Sequence, residues 1–258
     1  MANSRGEIKA QDTGDRDAAT VLVYLPGLGE TGEVFAGVVG AEQLAGFRHV
    51  VLDYVDWTRP TPPDEKVSFA AVGERIARWI AEHLARPVML VGHSMGGVIA
   101  QHVAEQHPEL VAKLLDIEGN ISSDDCTFSG GAVAYPLDAF VAHGFAERKG
   151  TLSKDVDART RRYARGLDGC AATTYRAYAE PLVRVSREET LARRLAELPM
   201  PVLYVHGQDP RRGLSERSRG MLRGAGVRVE PIEHAGHWPY LDQPELFIRA
   251  VMELAEGK

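Results

Sequence analysis

The chain has 258 residues, 44% of them hydrophobic and 26% charged. That fits one globular domain with a sizeable core, or one domain carrying an insertion. A net charge of −6 excludes the basic footprint of a nucleic-acid binder, and no run approaches the ~18 apolar residues that a membrane span needs. The opening stretch, MANSRGEIKAQDTGDRDAAT, has no apolar core of a secretory signal, so a cytoplasmic location is expected. Its first ~15 residues read as a polar tail without regular structure.

Six strands follow in the pattern: TVLVYLP (20–26), HVVLDY (49–54), PVMLVGH (87–93), AKLLDIE (112–118), PVLYVHG (201–207) and VRVEPIE (227–233). Several are apolar on both parities, as strands covered on both faces must be. Amphipathic stretches separate them. Phe69, Val72, Ile76, Ile80 and Leu84 form one stripe, and Leu246, Phe247, Ala250, Val251 and Leu254 form another after Pro244. This alternation predicts an α/β fold with a mostly parallel sheet flanked by helices.

The rhythm breaks between Ile121 and Leu198, where no strand pattern occurs. Helical stretches are predicted instead over 135–147, 153–167 and 171–186, the last interrupted by Pro181. A segment this long is an inserted subdomain rather than a loop. The organisation is therefore a core over 1–120, a helical insertion over 121–198 and the rest of the core over 199–258. Within the insertion, Arg159, Arg161, Arg162 and Arg165 share a stretch with Val156, Tyr163 and Leu167 at helical spacing. They read as the solvated face of a helix, with an anionic-substrate patch as the alternative. Cys126 and Cys170 fit no metal pattern, and whether they pair is open.

In open parallel sheets, ligands gather at the carboxyl ends of the strands. The third predicted strand ends in VGHSMGG and runs into a helical pattern, placing Ser94 at a strand–turn–helix junction between Gly92 and Gly96. That is the setting of a nucleophile elbow, with the helix N-terminus suited to an oxyanion. A serine needs a base. His237, in the loop after the last strand, is free to reach across the strand ends, whereas His234 lies nearer the strand and reads as structural. The carboxylate that orients the base is Glu118, at the end of the fourth predicted strand, or Asp209, in an Asp-Pro turn after the fifth; Glu118 is preferred. Asp116 alternates to the same side but lies deeper. The glycine-rich LPGLGETGEVF lets backbone approach a ligand, so the N–H groups of Leu28 and Met95 are the candidate oxyanion donors.

These pieces together (LPGLGETGEVF, VGHSMGG, the helical insertion, GQDP and HAGHWPYLDQPELF) make the chain resemble an α/β-hydrolase from Thr20 onward. The resemblance implies a nucleophile–acid–histidine order, which Ser94, Glu118 or Asp209, and His237 obey, and a cap formed by the insertion. Three departures stand out. Pro26-Gly27 replaces the usual His-Gly. TVLVYLP begins so early that the first two strands of the full fold are expected to be missing or rudimentary. The usual acid position, three residues past Gly207, is Pro210, with Asp209 one residue early. In certain lipases, haloalkane dehalogenases and polyether thioesterases the acid follows the preceding strand instead, where Glu118 stands.

The expected activity is hydrolysis of a small-molecule ester or thioester through an acyl-enzyme on Ser94, with no cofactor and no metal. A biosynthetic thioesterase, cyclase or lactonase acting on a polyketide-like chain is the alternative, followed by a ligand-binding protein without turnover. A metal hydrolase on His206, Asp209, His234 and His237 is a remote fourth. Trp238, Tyr54 and Phe128 are the foremost candidates to line the substrate gorge, with Trp57, Tyr135 and Phe140 behind them.

Overall fold

The computed structural model describes residues 7–209 and 211–257, so the readings of residues 1–6 and of Pro210 lie outside the described residues. Seven strands form one sheet: β1 (Lys9–Gly14), β2 (Val21–Leu25), β3 (Arg48–Asp53), β4 (Val88–His93), β5 (Val111–Ile117), β6 (Val202–Gly207) and β7 (Val229–Ile232). Their order is β1-β3-β2-β4-β5-β6-β7. All pairings are parallel except β1 with β3. Every residue of β2 and β4 is buried, which explains why their apolar runs ignore the two-residue alternation.

The six predicted strands are present, their ends shifted by a residue or two. The seventh, β1, was read as an unstructured tail. KAQDTG is almost entirely exposed, so no burial pattern marks it. It is held by backbone pairing to β3 and by Arg48, whose guanidinium makes two hydrogen bonds of 3.0 and 2.9 Å with Asp12. One strand therefore precedes β2, where the resemblance implied that the early strands are missing or rudimentary.

Helices cover both faces of the sheet. Phe69–His83 begins after Ser68 and buries Phe69, Val72, Ile76 and Ile80 along its apolar stripe, each contributing about 1.5–3 kcal/mol of burial. Pro244–Glu256 starts on a proline, buries Phe247, Ile248, Ala250, Val251 and Leu254, and stops at Gly257 with φ 77°.

Among the described residues, 121–198 contains no strand. Its longer helices are Phe145–Leu152, Ala158–Gly166 and Ala172–Glu188. Pro181 does not interrupt the last of these: the ring sits inside a continuous helix whose Tyr178, Ala179, Leu182 and Val183 are all buried, so packing outweighs the lost backbone bond. Val156 departs from its predicted helical stripe. It precedes the helix Ala158–Gly166 and is 98% exposed, while Tyr163 and Leu167 are buried as expected. Both cysteines are free. No described helix is long and apolar enough to cross a membrane.

Candidate active site

The chain leaves β2 toward β3 on one side and returns to β4 on the other, so the strand order reverses beside β2 and β4. Functional groups of open α/β sheets collect at the carboxyl ends at such a point. Ser94 stands there, between β4 and the helix Met95–Gln106, with φ 54° and ψ −120°. Serine rarely adopts this conformation, which costs roughly 1–3 kcal/mol. The turn is over-determined. Ser94 N–H donates to Ile117 O at 2.8 Å. A Cβ on Gly92 would lie 2.5 Å from Gly96 O, and one on Gly96 would lie 2.1 Å from Leu25 O.

Glu118 follows β5 directly, 3% exposed and itself at φ 53°. Its Oε1 accepts from the backbone N–H groups of Gly207 (2.7 Å) and Leu214 (3.3 Å), and its Oε2 faces His237 Nδ1 at 3.2 Å. Two backbone donors and an imidazole stabilise the carboxylate despite its burial. A proton on His237 Nδ1 directed at Glu118 leaves Nε2 as an acceptor.

His237 and Ser94 line one cavity with Leu28, Asn120, Phe128, Ser129, Tyr163, Leu182 and Trp238. Among the described residues no hydrogen bond joins Ser94 Oγ to His237. Catalytic hydrogen bonds are commonly long in ligand-free sites and shorten around the substrate. The cavity is about 10 Å³, room for about one water.

The other candidate acid, Asp209, faces away from this cavity. Its carboxylate takes the N–H of Arg211 at 2.9 Å and Nε of Arg212 at 2.7 Å. These contacts, led by the Arg211 N–H, hold it below the usual carboxylate range. His234 shares that outer groove with Asp209 and is exposed. Asp116 lies deep, as its register requires: burial pushes it up to about 7, offset in part by the Gly119 N–H at 3.0 Å. Three of the four residues of the metal reading turn to separate partners, His206 Nδ1 to Gly207 O, His237 to Glu118 and Asp209 to Arg212. Among the described residues, no cluster of His, Cys, Asp and Glu could hold a metal ion.

Of the two predicted oxyanion donors, Met95 follows Ser94 directly and Leu28 lines the same cavity as Ser94. Met95 opens the helix, where N–H groups have no intrahelical partner. Leu28 belongs to the loop after β2, and among the described residues neither N–H is committed to an acceptor.

Of the predicted gorge residues, Phe128 and Trp238 line the cavity, their ring centroids 5.7 Å apart. Tyr54 does not. It is buried beneath the loop, where its hydroxyl donates to Pro26 O at 2.6 Å, so its polar end is already engaged in holding backbone. Trp57 likewise donates to Glu30 O at 2.6 Å. Phe140 is buried within the helical segment, and Tyr135 donates to Glu147 at its surface.

Sequence reasoning missed a second histidine–carboxylate contact. His93 Nδ1 lies 2.8 Å from Glu30 Oε2, with His93 Nε2 2.9 Å from His237 O. Glu30 also accepts from Gly27 N–H (2.9 Å) and Trp238 Nε1 (2.7 Å). Burial pulls the His93 pKa down, but Glu30 more than reverses this and leaves it raised. Burial pushes Glu30 up, and His93 with the Trp238 and Gly27 donors leaves it lowered. The pair ties the loop after β2, the Ser94 turn and the His237 loop together. The only sequence signal was an acidic residue closing the glycine-rich loop and a histidine inside the serine motif.

The Alpha/beta hydrolase family model matches residues 22–250. The chain belongs to that family. Among curated relatives of this α/β-hydrolase, it is 24% identical over 268 aligned residues to the pimeloyl-[acyl-carrier protein] methyl ester esterase of Photorhabdus laumondii, covering 96% of this chain and 95% of that one. Among solved structures it is similar to a carboxylesterase of the thaumarchaeon Nitrososphaera gargenis, with TM-score 0.75, 15% identity and coverage of 96% and 94%. It is also similar to an esterase of Exiguobacterium antarcticum, with TM-score 0.70, 19% identity and coverage of 96% and 95%.

Proposed function

We propose that this α/β-hydrolase cleaves a carboxylic ester or thioester through an acyl-enzyme on Ser94. The observation that carries the reading is the 3.2 Å contact of Glu118 Oε2 with His237 Nδ1, on an imidazole that lines one cavity with Ser94. The esterases among its relatives support the same reaction class.

In this mechanism Ser94 Oγ attacks the acyl carbonyl while His237 Nε2 takes its proton. The carbonyl oxygen becomes an oxyanion held by the Leu28 and Met95 N–H groups, reinforced by the positive end of the helix Met95–Gln106. Collapse breaks the bond to the alcohol or thiol, which leaves with the proton from His237. Water, deprotonated by the same imidazole, then attacks the acyl-enzyme and frees the carboxylic acid and Ser94. Glu118 fixes the imidazole tautomer and stabilises the imidazolium in both steps. Residues 121–198 act as a cap whose Phe128, Ser129, Tyr163 and Leu182 close the site from above.

Serine, rather than aspartate, at position 94 favours acyl over alkyl transfer, because a hydroxyl oxygen adds to a carbonyl to give an ester that water reopens. The test is turnover of p-nitrophenyl acetate and of an N-acetylcysteamine thioester by wild type and Ser94→Ala. The reading requires that Ser94→Ala lose both activities and stoichiometric labelling by a fluorophosphonate. Undiminished turnover by the variant overturns it.

A further inference from the structure

The loop that offers Leu28 N–H is pinned at several backbone atoms. Pro26 O receives Tyr54 Oη, Gly27 N–H goes to Glu30 Oε2, Gly27 O receives Glu30 N–H at 3.2 Å, and Glu30 O receives Trp57 Nε1. Tyr54 and Trp57 lie outside the segment 121–198, and Glu30 belongs to the loop itself. Leu28 O is the exception. It accepts from Tyr163 Oη at 2.9 Å, and Tyr163 belongs to the helix Ala158–Gly166 in the segment over the site. Since Tyr163 directs its proton to Leu28, Tyr175 of the helix Ala172–Glu188 supplies the donor in the 2.8 Å contact between the two hydroxyls. Burial raises the pKa of both phenols, so both stay protonated.

The same helices press on the next residue. Gly29 has φ 73°, and a Cβ there would lie 2.5 Å from Leu167 Cδ2 and 3.0 Å from Tyr175 Cε2. The positive φ favours glycine, and a side chain there would also push the Leu167 and Tyr175 side chains aside.

We propose that Tyr163 is a positioning residue: its hydrogen bond to Leu28 O fixes the loop so that Leu28 N–H points at the oxyanion, making the oxyanion hole dependent on the seated cap. The inference rests on the serine-hydrolase reading above. The N–H of Leu28 shares its peptide plane with Gly27 O, which accepts from Glu30 N–H at 3.2 Å, and the planes on either side are held by Tyr54 through Pro26 O and by Tyr163 through Leu28 O. Removing the Tyr163 bond leaves the Leu28–Gly29 peptide without its tie and loosens the adjoining Leu28 N–H, and a donor misplaced by a fraction of an ångström loses more transition-state stabilisation than binding of the ester.

The test is Tyr163→Phe, which keeps the ring and removes the hydroxyl. With p-nitrophenyl acetate we expect kcat to fall about tenfold with KM within about twofold, less than the 10²–10³ lost with an entire oxyanion donor. Affinity for phenylboronic acid, whose boron bonds to Ser94 Oγ as a tetrahedral mimic, falls by the same factor, while inhibition by the product acetate stays unchanged. Tyr175→Phe, which leaves Tyr163 its own proton, shows the same kcat-selective pattern at about two- to threefold. It carries the test alone should Tyr163→Phe fail to fold.

Unchanged kcat and boronate affinity overturn the proposal. So does a rise in KM alone, which makes Tyr163 a substrate contact. If Ser94→Ala is dead while Tyr163→Phe is normal, only this inference fails; if Ser94→Ala hydrolyses esters normally, the underlying reading fails whatever Tyr163 does.

Discussion

Glu118 and His237 meet at the carboxyl edge of the sheet, Oε2 3.2 Å from Nδ1, although 119 positions separate them in the chain. Asp209, the nearer carboxylate in sequence, is turned toward Arg211 and Arg212 instead. Glu118→Gln is therefore expected to lower kcat on p-nitrophenyl acetate by about 10⁴, the scale seen when a triad acid is neutralised. Asp209→Asn should stay within about threefold of wild type, as surface changes commonly do. Steady-state kinetics on the two purified variants decide it, and a crippled Asp209→Asn beside a normal Glu118→Gln reverses the assignment.

The Glu30–His93 pair calls for a different measurement, because its role is to hold three loops together. Glu30→Gln leaves His93 without its counter-charge in a buried site, a loss of about 3–5 kcal/mol. For a chain of this size that lowers Tm by about 10 °C. The pH dependence has a definite sign. Glu30 sits below its ordinary value of 4.5, so its stabilisation is present above that pH and disappears as pH falls through the lowered folded value. His93 sits above 6.5, so its stabilisation is complete below that pH and is lost as pH rises through the raised folded value. Calorimetry across pH 6 to 9 should show wild type losing this increment and Glu30→Gln lacking that step. Parallel Tm curves for the two proteins count against the pairing.

Asp116 gives the opposite slope for a carboxyl group. Burial lifts it from 3.8 to about 7, so the native state holds a proton that the unfolded chain releases, and stability falls as pH climbs between those values. Asp116→Asn removes that cost of ionisation. The difference in Tm between variant and wild type should move in the variant's favour from pH 4 to 7 and level off above. A difference that does not change with pH would show that Asp116 has an ordinary carboxyl.

Gly96→Ala tests the turn sterically. The added methyl would lie 2.1 Å from Leu25 O and 2.6 Å from Pro26 O, both backbone atoms that cannot yield separately from β2 and its loop. Loss of soluble folded protein or of Ser94 labelling by a fluorophosphonate is expected. Gly220→Ala, whose Cβ meets nothing within 4 Å, is the matched control and should be neutral or slightly stabilising.

What the sequence disclosed, and what it hid, follows from the range of each interaction. The five inner strands were legible because burial on both faces leaves apolar runs, unbroken in β2, whereas the edge strand β7 is only partly buried; Ser94 was legible because its turn excludes side chains at Gly92 and Gly96. His237 and Glu118 were reachable by asking which polar groups stand at strand ends. Tyr54 was misjudged as a gorge residue because aromaticity does not reveal which carbonyl a hydroxyl meets, here Pro26 O. Glu30 and His93 escaped notice because a buried ion pair between positions 63 apart has no periodicity. Pro181 was read as a break because a proline's local cost is visible in sequence, whereas the packing of Tyr178 and Leu182 that overrides it is not.

The polarity that concealed β1 also has a use. β3, with its buried His-Val-Val-Leu run, would otherwise present an open row of amides and carbonyls at the margin of the sheet. β1 occupies that margin and is exposed at Lys9 and Gln11, side chains that discourage a neighbouring molecule from adding its own strand. Trimming the chain at Ala19 in the belief that the leading residues are idle would bare a sticky ribbon and invite oligomers or precipitation.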